Sequence, residues 1–66
     1  MEAYKVKKDT KVKIIDDEVR TPVASLQVKK NDIITILNLD GMYCNGKDEQ
    51  GNYVHIAAWT EVEEID

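Results

Sequence analysis

The forty residues from Leu26 to Ile65 do most to limit what this chain can fold into. They read LQVKKNDIITILNLDGMYCNGKDEQGNYVHIAAWTEVEEI: three apolar strand-like runs, then an Ala-Ala-Trp-Thr corner and a short closing strand. A Gly-bearing tight turn separates the last two runs. That order belongs to a small, strongly bent β-barrel. It contains no catalytic or metal-binding constellation.

Size narrows the choice further. Sixty-six residues make one domain, expected over 1–66. A chain this short buries only roughly 60 % of the surface its unfolded form exposes. A conventional enzyme pocket occupies roughly 300–1,000 Å³, and opening one here would remove much of the core. The expectation is a non-catalytic binding module. Cys44 is the only cysteine, so no internal disulfide can form. Small secreted domains usually rely on several. The first twenty residues hold five lysines and no apolar run suited to a signal peptide, and no run is long enough to span a bilayer. These features predict a reducing, cytoplasmic location and no membrane association. Cys44 is expected as a half-buried structural thiol.

Along the chain, alternation outweighs helical periodicity. Val12 and Ile14 interleave with Lys11 and Lys13, and Tyr4 and Val6 with Lys5 and Lys7. Period two with β-branched residues signals half-buried strands. The pattern predicts a short strand near residues 3–7, a break at Asp9-Thr10, and a stronger strand over Lys11–Ile15. The segment Asp16–Ser25 carries three acids and Pro22, which cannot donate a ladder hydrogen bond. Val19, Val23 and Ala24 make it a long, partly packed loop. Leu26-Gln27-Val28 leads to a polar turn, Lys29-Lys30-Asn31-Asp32, before the strongest strand, Ile33–Leu39, which is expected at the centre of the sheet.

Asp40-Gly41 closes that strand. Met42–Lys47 and Asn52–Ile56 pair through Asp48-Glu49-Gln50-Gly51. Gly51 suits the positive φ required where a type I turn meets a G1 bulge. Ala57–Thr60 fits one 3₁₀ turn. In the last strand, Glu61–Ile65, Val62 and Ile65 are expected to seal the barrel.

With these elements in place, the layout resembles an SH3-like barrel, with an OB-like barrel as the alternative. The ending YVHIAAWTEVEEI resembles the hairpin exit, 3₁₀ turn and last strand of such domains. The run VKKNDIITIL resembles their step from polar turn to strand. The resemblance covers roughly residues 10–65 and implies an all-β single domain of five or six strands with one 3₁₀ turn. It is also similar to short SH3-like proteins of Gram-positive bacteria and their phages. The chain lacks the Ala-Leu-Tyr-Asp-Tyr segment, the Trp-Trp pair and the proline before the 3₁₀ turn of eukaryotic SH3 domains. A proline-peptide groove depends on those aromatics, and only Tyr43, Tyr53 and Trp59 remain to substitute for it. The cell-wall-binding bacterial domains require export, and with no run suited to a signal in the first twenty residues that role is not expected.

Charge and aromatics then define candidate surfaces. Residues 1–33 carry eight basic and six acidic groups, whereas residues 34–66 carry Lys47 against seven acids. Trp and Tyr supply rigid area with a polar handle and are enriched at binding hot spots. Trp59 either plugs the open end of the barrel or forms such a spot, and strand parity leaves both readings open. The expected partner is a protein with a basic surface, met by Trp59, Tyr53 and Tyr43 for affinity. Asp16, Asp17, Glu18 and Glu61 would supply orientation and on-rate. The role envisaged is a small bacterial or phage regulator or inhibitor. A sheet edge also offers a route to weak self-association.

The alternative is a nucleic-acid-binding barrel using Lys5, Lys7, Lys11 and Lys13. A pI of about 4.8 argues against it, since phosphate contacts need uncompensated positive charge. His55 alternates with Val54 and Ile56 and is expected to face away from the core. One histidine without a second imidazole or thiol does not make a zinc site. The run DGMYCNGKDEQG lacks calcium-loop spacing and reads as turn chemistry. Ser25 and Thr60 lack partners for nucleophilic catalysis. No catalytic residue, metal or cofactor is therefore assigned.

Overall fold

The computed structural model describes residues 1–21 and 27–65. It is all-β, with five antiparallel strands in the order β4-β3-β2-β1-β5. These are β1 (Lys11–Ile14), β2 (Ile33–Asp40), β3 (Tyr43–Asp48), β4 (Tyr53–Ala57) and β5 (Val62–Glu64). Each lies within a residue or two of its expected place. β2 is the longest and occupies the centre, as its unbroken apolar run requires. The principal extents are 30 × 23 × 22 Å. Among the described residues no helix is long and apolar enough to cross a membrane.

One face of every strand supplies the core. Val12, Ile14, Ile34, Ile36, Cys44, Val54, Ile56 and Val62 are all buried, joined by Ala3 and Val28. Alternation explains this set, because the intervening residues are mostly polar and face outward. Gly46 continues the inward face of β3. A Cβ there would stand 3.0 Å from the Thr35 carbonyl oxygen and 3.2 Å from Ile34 Cδ1. Its place is steric: a side chain there would crowd the β2 backbone and Ile34.

The register slips between Ile36 and Asn38. This bulge reverses the alternation of β2, so Leu39 opposes Cys44 and Asn38 opposes Asn45. Leu39 therefore shares the inward face although the strand has already run past the core. The start of β3 stays joined to the end of β4, with Tyr43 opposite Ala57 and the Ala58 N–H donating to the Met42 carbonyl.

Two turns follow the expected chemistry. The Gly51 N–H donates to the Asp48 carbonyl at 3.1 Å, and Gly51 has φ +89°. In the Lys29–Asp32 turn the Asp32 N–H donates to the Lys29 carbonyl, and Asn31 takes φ +79°. Val62 is fully buried and Ile65 half-buried. The expectations for Pro22–Leu26 lie outside the described residues.

Three expectations need correction. Residues 3–7 do not form a strand: Ala3–Lys5 is the 3₁₀ turn, and only Glu2 makes an isolated bridge, to Glu61. Tertiary bonds prevail over alternation here. The Ala3 N–H donates to the Thr60 carbonyl and that of Tyr4 to Ala58, drawing the chain across the barrel end. Consequently Ala57–Thr60 is a single turn closed by Thr60 N–H to Ala57 C=O at 3.0 Å, and the 3₁₀ segment lies against it. Cys44 is fully buried rather than half-buried. Burial pushes its thiol pKa up, which makes it a poor nucleophile.

Candidate functional site

The corner between β4 and β5 gathers most of the expected partner-binding residues. Trp59 sits on it and is 47 % exposed, so it does not plug the barrel. Tyr43 pairs with Ala57, the residue at which the corner begins, and is also exposed. The corner owes its shape to Thr60, whose buried hydroxyl donates to the Ala57 carbonyl at 2.7 Å. Thr60 thus has a structural partner that the sequence did not reveal.

The acidic segment that follows β1 runs beside this corner and is tied to it at both ends. The Glu61 N–H donates to Asp16 Oδ2 at 3.1 Å, and the Ala57 N–H donates to the Arg20 carbonyl at 2.9 Å. Between these ties Val19 packs against the core. Asp17 and Glu18 are therefore carried along the Trp59 corner, with Glu61 at its far end. Asp16 also accepts from the Glu18 N–H at 2.9 Å. These two bonds, that from Glu18 first, hold its carboxyl below the ordinary range. Its role is to fasten the segment.

The other acids differ. Asp17 pairs with Lys30 at 2.8 Å, which links the segment to the Lys29–Asp32 turn and raises the Lys30 pKa. Such an exposed pair is worth little in stability. Glu61 lies 3.4 Å from the Met1 ammonium. Glu18 is exposed.

Tyr53 is placed elsewhere. It opposes Lys47, four residues along β3 from Tyr43 and hence about 13 Å away. Its ring lies 5.4 Å from Lys47 Nζ. The same end of the sheet holds an open groove of about 380 Å³ between the Lys29–Asp32 turn and the Asp48–Gly51 loop. Asp48 is spent on that loop, accepting from the backbone N–H groups of Asn52 at 2.8 Å and Gln50 at 2.9 Å. The bond from Asn52 is the main cause of its lowered pKa. Among the described residues no cluster of three or more His, Cys, Asp or Glu side chains could hold a metal ion.

The four lysines of the alternative surface do not form one stripe. Lys5 belongs to the 3₁₀ turn, 3.4 Å from Glu2, and this pairing raises its pKa. Lys7 precedes the Asp9 turn, where φ is +68°. Lys11 and Lys13 do share the outward face of β1, with Lys13 opposite Glu63. Across β2, Lys11 opposes Thr35, and Thr35 opposes Lys47. A row Lys11–Thr35–Lys47–Tyr53 therefore crosses four strands. His55 is half-buried on that outward face, opposite Asn45.

Tyr4, Leu39 and Met42 are all exposed, and sequence reasoning missed the last two. The Tyr4 N–H donates to the Ala58 carbonyl and the Ala58 N–H to the Met42 carbonyl, so the three segments converge beside Trp59. No sequence signal brings Met42 to Trp59. Comparison with protein-family models, with curated proteins and with solved structures finds no match to this chain.

Proposed function

We propose that the protein is a non-catalytic, SH3-like interaction domain of the cytoplasm that acts as a small regulator or inhibitor. Its partner presents a basic surface, which docks on the β4–β5 corner. Trp59 and Tyr43 supply rigid apolar contact, and Asp17, Glu18 and Glu61 orient the approach. One observation carries the reading: an acidic segment clamped at both ends alongside a half-exposed tryptophan. A well-packed core does not need Trp59 in that position. Exposed aromatic area beside like charges is the composition of a docking site. Opposite charge on the partner would raise the association rate and make it salt-dependent.

The test is capture from native cytosol with wild type and Trp59→Ala in parallel, followed by binding measurements on the captured protein. A loss of about tenfold or more in affinity is expected for a hot-spot residue. Unchanged affinity with an intact fold would remove this surface from consideration.

The row Lys11–Thr35–Lys47–Tyr53 favours a second reading, a nucleic-acid-binding barrel with a base on Tyr53 and phosphate between the lysines. Against it, Asp48 and Glu49 line the groove in which Lys11, Thr35 and Lys47 lie, and the net charge is −4. Salt-dependent retention on single-stranded nucleic acid that Lys47→Glu abolishes would support this reading. Absence of retention at low salt would end it.

A further inference from the structure

We infer that an acidic segment of another protein, carrying one large apolar side chain, docks in the groove between residues 4–8 and the end of β2. That groove is open, apolar and about 240 Å³ in volume. Its floor is Ala3, Ile36 and Cys44, all buried, and Tyr4, Val6 and Leu39 wall it. Leu39 stands on this side because the register slip sets it opposite Cys44. Small-molecule pockets occupy roughly 300–1,000 Å³, so the room suits a single bulky side chain better.

The wall is tied at both ends. The Ala3 and Tyr4 N–H groups donate to the Thr60 and Ala58 carbonyls at 2.8 and 2.9 Å. Further on, the Asp9 N–H donates to the Ile36 carbonyl at 2.7 Å, and the Ile36 N–H to the Thr10 carbonyl at 2.9 Å. The segment is therefore in place before anything binds. A preformed surface spares an incoming chain the cost of ordering it.

Charge selects the occupant. Among the described residues that line the groove, Lys8 alone is charged. It is exposed, and among the described residues it makes no ion pair. The carboxylates nearby are placed otherwise. Glu2 lies 3.4 Å from Lys5, Asp40 opposes Tyr43 on the outward face, and Asp9 does not line the groove. A basic segment would bring like charge to Lys8 with no lining carboxylate to offset it. An uncharged one would crowd the ammonium without pairing it. A carboxylate beside the apolar anchor pairs it at the rim, where charge sets orientation and on-rate. This contact uses none of Trp59, Tyr43, Asp17, Glu18 and Glu61, so it stands or falls apart from the proposed function.

The probe is the blocked peptide acetyl-Glu-Asp-Phe-Asp-Glu-amide, titrated into the full chain and followed by amide NMR. So small a contact is weak, with a dissociation constant on the order of 100 µM. Shifts should concentrate at residues 4–8 and 36–39. Exchanging the peptide's Phe for Ala should weaken binding about tenfold, as expected of a buried aromatic. Lys8→Glu should weaken it about fivefold or more and favour acetyl-Lys-Arg-Phe-Arg-Lys-amide instead. Leu39→Asn, at a second exposed position, should weaken both peptides and keeps the test open if the first variant misfolds. A wild type that binds the basic peptide as well as the acidic one overturns the inference. So does an acidic peptide indifferent to both Lys8→Glu and Leu39→Asn, or one that shifts none of these amides at about 2 mM. Shifts of the same amides with protein concentration alone would assign the groove to a second copy and overturn it too.

Discussion

The two ends of the β3–β4 hairpin are built by different means. At the Asp48–Gly51 end, every bond cited above joins residues within four positions of one another, with Asp48 as the hub. At the Ala57–Glu61 end the bonds come from far along the chain: Asp16 to Glu61, Arg20 to Ala57, Tyr4 to Ala58 and Met42 to Ala58. The first end is a self-sufficient turn. The second adds to its local Thr60–Ala57 bonds a set of ties that form only once four separate segments have met. Half-exposed Trp59 and the acidic segment occur at the second end. A surface assembled from several segments can combine charge and apolar area in a way no short loop can, and its integrity depends on the whole fold.

The largest way to break this comparison acts on the strand that joins the two ends. Ile56 is fully buried in β4. Ile56→Ala should remove about 2–5 kcal/mol, a large fraction of what a domain of this size can hold. Both ends should loosen together in hydrogen exchange. Exchange that opened one end alone would show that the hairpin does not couple them.

A pair of smaller changes separates the ends. Thr60→Val leaves the shape but deletes the buried hydroxyl bond, for an expected loss of about 1–2 kcal/mol. Gly51→Ala forces a side chain to φ +89°, with a similar cost of about 1–2 kcal/mol. Amide exchange should distinguish them: Thr60→Val should deprotect the Ala57 and Glu61 amides, and Gly51→Ala only those of the turn. Equal responses would erase the contrast between local and assembled ends.

Acid offers a finer comparison. Asp16 and Asp48 both have carboxyl pKa values lowered by hydrogen bonds from backbone N–H groups. Their unfolded value is ordinary, near 3.8. A lowered folded pKa means that the unfolded chain binds protons first as pH falls. The stabilisation is complete above about pH 4 to 5 and disappears as pH descends through the folded values. Asp16→Asn and Asp48→Asn should each flatten the fall in thermal midpoint below pH 4. The Asp16 variant should also weaken partner binding at neutral pH, because it unfastens the acidic segment. An Asp16→Asn protein whose melting curve kept the wild-type pH dependence would show that this carboxylate carries no linkage.

The smallest effect is expected from Trp59→Ala, within about 0.5 kcal/mol of wild type in stability. A larger loss by denaturant titration would show that the indole packs structurally, and would weaken the case for it as a docking residue.

Local chemistry made much of this fold readable. The Asp48–Gly51 turn follows from one aspartate and one correctly placed glycine. The Lys29–Asp32 turn and the inward sets of β1 and β4 follow from alternation. The β2 bulge was not readable, because a period-two count through Ile33–Leu39 contains no mark of the slipped residue; the slip is set by pairing with β3. The 3₁₀ turn at Ala3–Lys5 was hidden for the same reason, since its alternating sequence suits a strand equally well. At the candidate site, the residue types were visible in Trp59, Tyr43 and the acids, while their company was not. Tyr53 seemed an equal member until the register set it about 13 Å from Tyr43.

The sequence by itself determined the all-β class, the order and approximate place of the five strands, and the Lys29–Asp32 and Asp48–Gly51 turns, because each depends on neighbours within a few residues. Only the tertiary structure decided that Trp59 is half-exposed, that Asp16 fastens the acidic segment, and that Leu39 turns towards Cys44. These outcomes rest on hydrogen bonds and register between residues far apart in the chain, such as Ala3 and Thr60. Which distant groups meet is set by how the chain closes on its core, and local propensity contains no term for it.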